Sequence, residues 1–198
     1  MASERRGKEE RETKETKVYV EVALDGSGRA EIATGVGMLD HLLEQIARHG
    51  LIDITIRAEG DLQIDPHHTA EDVAICLGRA LKKALGQRRG IVRFGHAIVP
   101  LDEALALVAV DLSGRGYASL DLSWTGAKVG ELPTDLIGHM LWSIATESQM
   151  TLHARTLAGA SDHHKAEAVF KALARSLGTA VRLDPRLGNE IPSTKGSL

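Results

Sequence analysis

The sequence predicts an α+β fold made of two copies of one β-β-α-β-α unit, each a mixed sheet with helices on one face. Three motifs recur in the same order along the chain, which indicates an internal duplication. They are the turn Asp-x-Ser-Gly-Arg at 25–29 and 111–115, a lone histidine at 41 and 139, and His-His-x-x-Glu at 67–71 and 163–167.

The strands of the first copy follow from side-chain alternation. Val18, Val20 and Val22 fall on one face of a strand at 16–24, because successive residues of a strand point to opposite faces. The Gly-rich turn after it leads into a second strand. Strands are therefore expected at 16–24, 29–34 and 51–58.

The helices of the first copy follow from apolar residues at helical spacing. Leu39, Leu42, Leu43 and Ile46 share one stripe of a helix at 38–48. A second helix is expected at 66–85, because the Asp-Pro pair before it supplies an N-cap and a proline suited to the first turn.

The second copy repeats the pattern, with strands near 104–112, 116–123 and 150–156 and helices after Thr134 and after Ser161. Since each sheet has one face free of helices, the two halves are expected to pack sheet to sheet. The expected divisions are a charged, disordered leader at 1–12, half-domains at 13–90 and 91–183, and a C-terminal substrate-binding tail at 184–198.

Composition narrows the function. The chain has 198 residues, a net charge of −3, one cysteine and no long apolar run. This charge argues against a general binder of nucleic acid or of anionic membranes, and one cysteine excludes an internal disulfide framework. The charged N-terminus lacks the apolar core of a secretory signal, so a cytoplasmic location is expected.

The histidines predict a metal site. Residues four apart lie on one helix face, so His67 and Glu71 can bind the same ion, whereas His68 points about 100° away and serves another ion or none. The second copy repeats this arrangement. With the lone histidines, the inventory suits two sites of three nitrogens and one carboxylate. The eight candidate ligands are His41, His67, His68, Glu71, His139, His163, His164 and Glu167.

Pseudo-twofold symmetry predicts how these ligands group. One ion is expected to take His67, Glu71, His139 and His164, and the other to take His41, His68, His163 and Glu167. A donor set of imidazoles and carboxylates without thiolate suits manganese, iron, cobalt or zinc, and the residues do not decide among these metals.

Six segments together resemble the imidazoleglycerol-phosphate dehydratase family over about residues 11–198. They are GVGMLDHLLEQIARHG at 35–50, DPHHTAEDVAICLGRAL at 65–81, RFG at 93–95, VDLSGR at 110–115, SDHHKAEAVFKALARSL at 161–177 and PSTKG at 192–196. Two departures, SDHH in place of NSHH and PSTKG in place of PSSKG, leave the candidate ligands intact.

The resemblance implies a hydro-lyase of histidine biosynthesis. It would dehydrate D-erythro-imidazole glycerol phosphate to imidazole acetol phosphate through a metal-bound imidazolate, with two Mn²⁺ per active site. The implied fold is that of ribosomal protein S5 domain 2. The implied assembly is a homo-oligomer of 24 subunits with active sites shared between chains, and no nucleic acid or membrane partner.

The resemblance also assigns roles by residue. The family's metal ligands fall on the same eight positions, and its catalytic carboxylates fall on Glu15 and Glu167. The positions implied to contact substrate are Glu15, Gln45, His49, Arg93, Arg115, Lys171, Ser193, Thr194 and Lys195.

Alternatives remain open at this point. A metal-bound water competes with Glu15 for the proton-transfer role. A dinuclear hydrolase would use the same ligands, with its ions about 3.5–4 Å apart. A non-catalytic, metal-dependent assembly protein would need the ligands but neither Glu15 nor the cations that hold a phosphate.

Overall fold

The computed structural model describes residues 5–198, which form two four-stranded sheets with four helices between them and a separate two-stranded sheet. The first half contains β1 (Arg6–Glu12), β2 (Thr16–Ala23), β3 (Ala30–Ala33), α1 (Gly37–Gly50), β4 (Asp53–Gly60) and α2 (His67–Leu85). The second half contains β5 (Phe94–Leu101), β6 (Ala104–Asp111), β7 (Tyr117–Asp121), β8 (Lys128–Val129), β9 (Leu132–Pro133), α3 (Thr134–Ser148), β10 (Thr151–Ala158) and α4 (Asp162–Ala180).

The two sheets have the same topology, which confirms the predicted duplication. Their strand orders are β1-β2-β4-β3 and β5-β6-β10-β7. In each sheet the short third strand runs parallel to its neighbour, and the other pairs are antiparallel. Both sheets are therefore mixed, as expected, and each repeat has one further strand at its start.

The first of these additional strands corrects the prediction of a disordered leader at 1–12. Residues 6–12 form β1 and pair with β2 along their whole length; residues 1–4 of the leader lie outside the described residues. The strand lacks an apolar face because its side chains meet α2 through ion pairs. Glu9 contacts Lys83 at 2.6 Å, and Arg11 contacts Asp72 at 2.7 Å.

The two halves pack helix to helix, so the expected sheet-to-sheet packing is wrong. Helix α2 packs against α3 and α1 against α4, while α2 also covers β1 and β2 and α4 covers β5 and β6. The helices carry wide apolar faces that bury against both a sheet and another helix. Leu39, Leu42 and Leu43 of α1 are fully buried, and each such burial contributes roughly 1.5–3 kcal/mol.

Each repeat brings its first strand into direct contact with the backbone of its second helix. A Cβ atom at Gly7 would lie 1.9 Å from the carbonyl oxygen of Ala80, and one at Gly95 would lie 2.0 Å from that of Ser176. Only glycine fits at either position. The two contacts are equivalent, so the duplication also includes β1 and β5, which the repeated sequence motifs do not cover.

The first Asp-x-Ser-Gly-Arg turn is held by Asp53 of β4. One oxygen of this carboxylate accepts hydrogen bonds from the backbone amides of Ser27, Gly28 and Arg29 at 2.8–3.0 Å. Burial alone would raise the pKa of Asp53, but the hydrogen bonds from Arg29 and Ser27 lower it to about 2. The turn is thus fixed to the strand that precedes the first metal-binding motif.

Replacing Asp53 by asparagine should destabilise the fold by about 1–2 kcal/mol at neutral pH. Because the folded-state pKa lies below the ordinary value of 3.8, this stabilisation is present above pH 4 and is lost as the pH falls toward 2. Thermal unfolding of both proteins at pH 7 and below pH 4 measures the difference. Asp121→Asn, which removes an exposed ion pair with Arg155, serves as control. A constant difference at all pH values would contradict the prediction.

The C-terminal segment lies along the connection between the halves. Gly90 and Glu190 form a backbone hydrogen bond of 2.8 Å, and the Arg93 side chain donates to the carbonyl oxygen of Pro192 at 2.7 Å. These contacts place the segment beside the start of β5. Among the residues that the structure describes, no helix is both long and apolar enough to cross a membrane.

Candidate metal centre

Both His-His-x-x-Glu motifs lie in the first turns of long helices. His67 begins α2, where its backbone amide donates to the Asp65 side chain at 2.7 Å. In α4, the Ser161 side chain caps the helix by accepting a bond from the amide of His164. Both bonds satisfy amides that have no partner within the helix, and only the bond from Ser161 is a side-chain N-cap.

The first cluster of metal-binding side chains joins α2 and α3. His67, Glu71 and His139 each offer a donor atom, and these three atoms all lie within 4.8 Å of one another. The His139 Nε2 atom is 2.9 Å from Glu71 Oε1. The two imidazole rings are 5.8 Å apart at an angle of 32°. We call this group the α2–α3 triad.

The second cluster joins α1 and α4 with nearly the same geometry. It contains His41, His163 and Glu167, and we call it the α1–α4 triad. The Glu167 Oε1 atom is 3.1 Å from His41 Nε2 and 2.9 Å from His163 Nε2. The rings are 5.9 Å apart at 31°. The internal duplication therefore extends to the two candidate sites.

The residues fit divalent metal ions. Ligands that each lie about 2.0–2.2 Å from one ion are themselves about 3–3.5 Å apart. The closest donor pairs of the triads are 2.9–3.1 Å apart, and all three donors of each triad lie within 4.8 Å of one another. Imidazole nitrogens and carboxylate oxygens without thiolate suit manganese, iron, cobalt or zinc. Both triads therefore have the donor types and spacing of incomplete metal sites with room for further ligands.

Glu167 stays anionic within its triad. Burial alone would raise its pKa, but hydrogen bonds from Lys171 and His41 lower the pKa to about 2. The Lys171 ammonium is 2.7 Å from Glu167 Oε2, the oxygen that the histidines leave free. The carboxylate is thus held in place and ready to act as a ligand.

The structure brings six of the eight predicted ligands into the triads and leaves His68 and His164 outside both, so neither predicted group of four forms within one chain. The rings of each adjacent pair are nearly perpendicular, at 79° in α2 and 82° in α4. Hydrogen bonds to Asp61 and to Glu103 raise the pKa of His68 and of His164. These two histidines point away from the triads of their own chain.

Sequence reasoning missed Asp61 and Glu103. The Asp61 carboxylate lies 3.0 and 3.2 Å from His68 Nδ1, and Glu103 Oε2 lies 2.7 Å from His164 Nδ1. Asp61 directly follows β4, and Glu103 sits in the β5–β6 turn. In the sequence, the only sign of their role is that each lies beside the end of a strand near a motif. Their contacts with the histidines join separate elements, so no spacing within one element predicts them.

Beyond the α1–α4 triad, a row of polar and cationic side chains follows the two helices. Gln45 and His49 continue the face of α1 that carries His41, and Lys171 and Arg175 continue the face of α4 that carries Glu167. Burial lowers the pKa of His49, and the charges of Lys171 and Arg175 lower it further. This row, the α1–α4 row, offers cations to an anion.

The equivalent positions beyond the α2–α3 triad are already neutralised. There Arg79 pairs with Glu147 at 2.8 Å and with Glu9 at 3.7 Å. The two triads match, but their surroundings differ in charge. In the α1–α4 row Lys171 pairs with the triad carboxylate Glu167, but among the ion pairs found between described residues none involves Arg175, so this row keeps a cation beside its triad.

Glu15 lies in the turn between β1 and β2, with 57% of its side chain exposed. Its Oε2 atom is 3.9 Å from His68 Nδ1, which is too long for a hydrogen bond. The structure thus places Glu15 near the second histidine of the first motif and outside the triads.

The expected phosphate-binding residues lie beside the C-terminal segment. Arg93 has a left-handed backbone (φ 76°), forms an ion pair with Asp111 at 2.7 Å and donates to Pro192. The Ser193 side chain accepts a bond from the amide of Lys195, whereas Thr194 and the Arg115 side chain are exposed. The structure joins Arg93 to the tail, and most of its donors are used within the protein.

The fold and the two triads define an internally duplicated α+β protein with a paired histidine–carboxylate site. The model of the family described as imidazoleglycerol-phosphate dehydratase matches residues 34–177. The chain belongs to this family, and it is accordingly a dehydratase, a hydro-lyase of histidine biosynthesis.

Known relatives cover the whole chain. The imidazoleglycerol-phosphate dehydratase of Chloroflexus aggregans is 59% identical over 198 residues, which are 100% of this chain and 97% of the relative. That of Methanothermobacter thermautotrophicus is 52% identical over 100% of both chains. A solved structure from Pyrococcus furiosus, in complex with (S)-C348, is 37% identical with a TM-score of 0.82, covering 96% of this chain and 100% of the other.

Proposed function

We propose that this chain dehydrates D-erythro-imidazole glycerol phosphate to imidazole acetol phosphate, with two manganese ions per active site. The observation that carries the proposal is the repeated triad: two histidine–histidine–glutamate clusters whose ring spacings agree within 0.1 Å and whose ring angles agree within 1°. A flat substrate ring with two nitrogens calls for two such sites. When bound there, the ions would act as Lewis acids that favour the imidazolate form of the ring.

We infer that each site is completed by another chain. His68 and His164 bond to carboxylates through Nδ1, which leaves the Nε2 atom of each ring available as a metal ligand. The His164 Nε2 atom is 4.0 Å from Asp102 Oδ2, too far for a hydrogen bond. Each triad has two nitrogens and one carboxylate, so it needs one more nitrogen to reach the expected three. The two outward-facing histidines of each chain supply the right number of nitrogens for the two triads of other chains. This supports a homo-oligomer with shared active sites, and the family resemblance suggests 24 subunits.

The α1–α4 row is the proposed path for the substrate chain. A phosphate dianion there would meet Lys171 and His49, whereas the Arg79–Glu147 pair closes the equivalent path beside the other triad. Gln45 donates to the backbone oxygen of His41 one turn earlier in α1 at 3.2 Å, which keeps its side chain against the helix beside the triad. Arg93, Arg115, Ser193, Thr194 and Lys195 are proposed to hold the phosphate of a neighbouring site.

Proton transfer is assigned to Glu15. The reaction breaks a carbon–oxygen bond, and the departing hydroxyl must gain a proton. A neighbouring chain carbon must lose one, which gives an enol that tautomerises to the ketone. Glu15 is exposed, close to His68 and free of any ion pair with lysine or arginine among those found between described residues. It can therefore approach a substrate held at a shared site.

The experiment compares the dehydratase activity and the mass of the assembly before and after the metal is removed. Chelator-treated protein should lose dehydration of imidazole glycerol phosphate, regain it with added Mn²⁺, and shrink in mass by light scattering, because ligands from two chains hold each ion. Dehydration by protein with less than about 0.1 ion per chain would refute the metal role. An unchanged mass would refute shared sites.

A further inference from the structure

We propose that Asp61 and Glu103 are positioning residues. They hold the Nδ1–H groups of His68 and His164, so that the Nε2 atom of each ring faces outward as a metal ligand. This arrangement leaves Glu15 free for proton transfer. The inference rests on the proposed function. A histidine ligand generally donates its other ring N–H to a carboxylate or carbonyl, which fixes its tautomer and orientation.

Glu103 makes a complete bridge in the second repeat. Its Oε2 atom lies 2.7 Å from His164 Nδ1. Its Oε1 atom accepts bonds from the backbone amides of Ala160 and Ser161 at 3.2 and 2.8 Å. Both oxygens are therefore committed, one to the imidazole and one to the segment that precedes α4. The bridge ties the ring direction to the helix start.

Asp61 performs the same task in the first repeat from a different place. Both of its oxygens lie within 3.2 Å of His68 Nδ1, and only 12% of its side chain is exposed. It follows Gly60 at the end of β4. In the second repeat the equivalent residue after Gly159 is Ala160, which has no carboxylate to offer.

Glu15 and Glu103 are equivalent positions in the two repeats. Each is the last residue of the turn between the first two strands, just before Thr16 of β2 and Ala104 of β6. Glu103 reaches the second histidine of its own repeat at 2.7 Å, but Glu15 stays 3.9 Å away. Because Asp61 already bonds to His68, Glu15 is not needed there. Its carboxylate keeps both oxygens for the reaction.

The test is metal affinity, measured as metal per chain by mass spectrometry at a series of free Mn²⁺ concentrations. Glu103→Gln should weaken binding about 10–100-fold, because one amide oxygen cannot serve both the backbone amides and the imidazole N–H. Asp61→Ala should have a similar effect. Asp61→Asn should restore most of the affinity, since its oxygen can still accept from Nδ1. Glu15→Gln is the matched control and should bind metal as the unmodified protein does.

The outcomes separate the two proposals. If the unmodified protein binds no Mn²⁺, the proposed function fails. If it binds Mn²⁺ but Glu103→Gln and Asp61→Ala bind equally tightly, the positioning role is wrong. If Glu15→Gln loses metal as strongly as Asp61→Ala, the division of roles between these carboxylates is wrong. Should Asp61→Ala not fold, Glu103→Gln decides the result.

Discussion

Glu167→Gln is expected to lose the ion of the α1–α4 triad and to lower kcat by about a thousand-fold or more. Loss of a residue that only supports a metal ligand typically costs roughly 10–100-fold in affinity or activity. Glu167 meets both histidines of its triad through one oxygen and Lys171 through the other. A neutral amide keeps the shape but removes the anion. It also leaves the Lys171 ammonium, a largely buried cation, without its carboxylate.

Metal analysis and steady-state kinetics of the same preparation measure this effect. About half of the bound metal should disappear, because the α2–α3 triad keeps its own carboxylate. Glu147→Gln is the matched control: it makes the same change in α3, where Glu147 pairs with Arg79 and belongs to neither triad, and it should retain metal and turnover. Full metal content together with unchanged kcat in Glu167→Gln would remove Glu167 from the site.

Glu15→Gln is expected to lower kcat about 10²–10⁴-fold, the usual contribution of a positioned acid or base. The substrate KM and the metal content should change little, because Glu15 lies outside both triads. Such a pattern identifies an interaction made mainly in the transition state.

The control for Glu15 is Glu12→Gln at the end of β1, where the side chain is exposed and 3.8 Å from Lys17. It should behave as the unmodified protein. If Glu15→Gln retained full turnover, the proton would have to move through another group. The metal-bound water considered alongside Glu15 would then be the leading candidate.

Much of the fold could be predicted because its elements have regular patterns. The alternation of Val18, Val20 and Val22 and the helical stripe of Leu39, Leu42 and Ile46 each identify an element from its own residues. The strand β1 could not be found this way, since its inward side chains include Glu9 and Arg11, which pair with charges on α2. The order of layers was also out of reach, because an apolar stripe shows that a face is buried but not which element covers it.

The candidate site shows the same limit. The i, i+4 spacing correctly placed His67 with Glu71 and His163 with Glu167, since one helix turn fixes both side chains. Pseudo-symmetry grouped His164 with the α2–α3 triad and His68 with the α1–α4 triad, and the structure of one chain brings neither histidine to its triad. Which surface meets an outward-facing ring depends on another copy of the chain, and no spacing within one sequence encodes that.

The helix-to-helix packing has a consequence for how such a protein could specialise. A chain with a single repeat could bury its helices only against a second copy of itself, and that dimer would carry identical residues on both sides. Joining the repeats in one polypeptide breaks this symmetry, because each position can then mutate independently of its counterpart. The unequal charges beyond the triads are one such difference, and the roles proposed for the carboxylates at 15 and 103, one for chemistry and one for support, would be another.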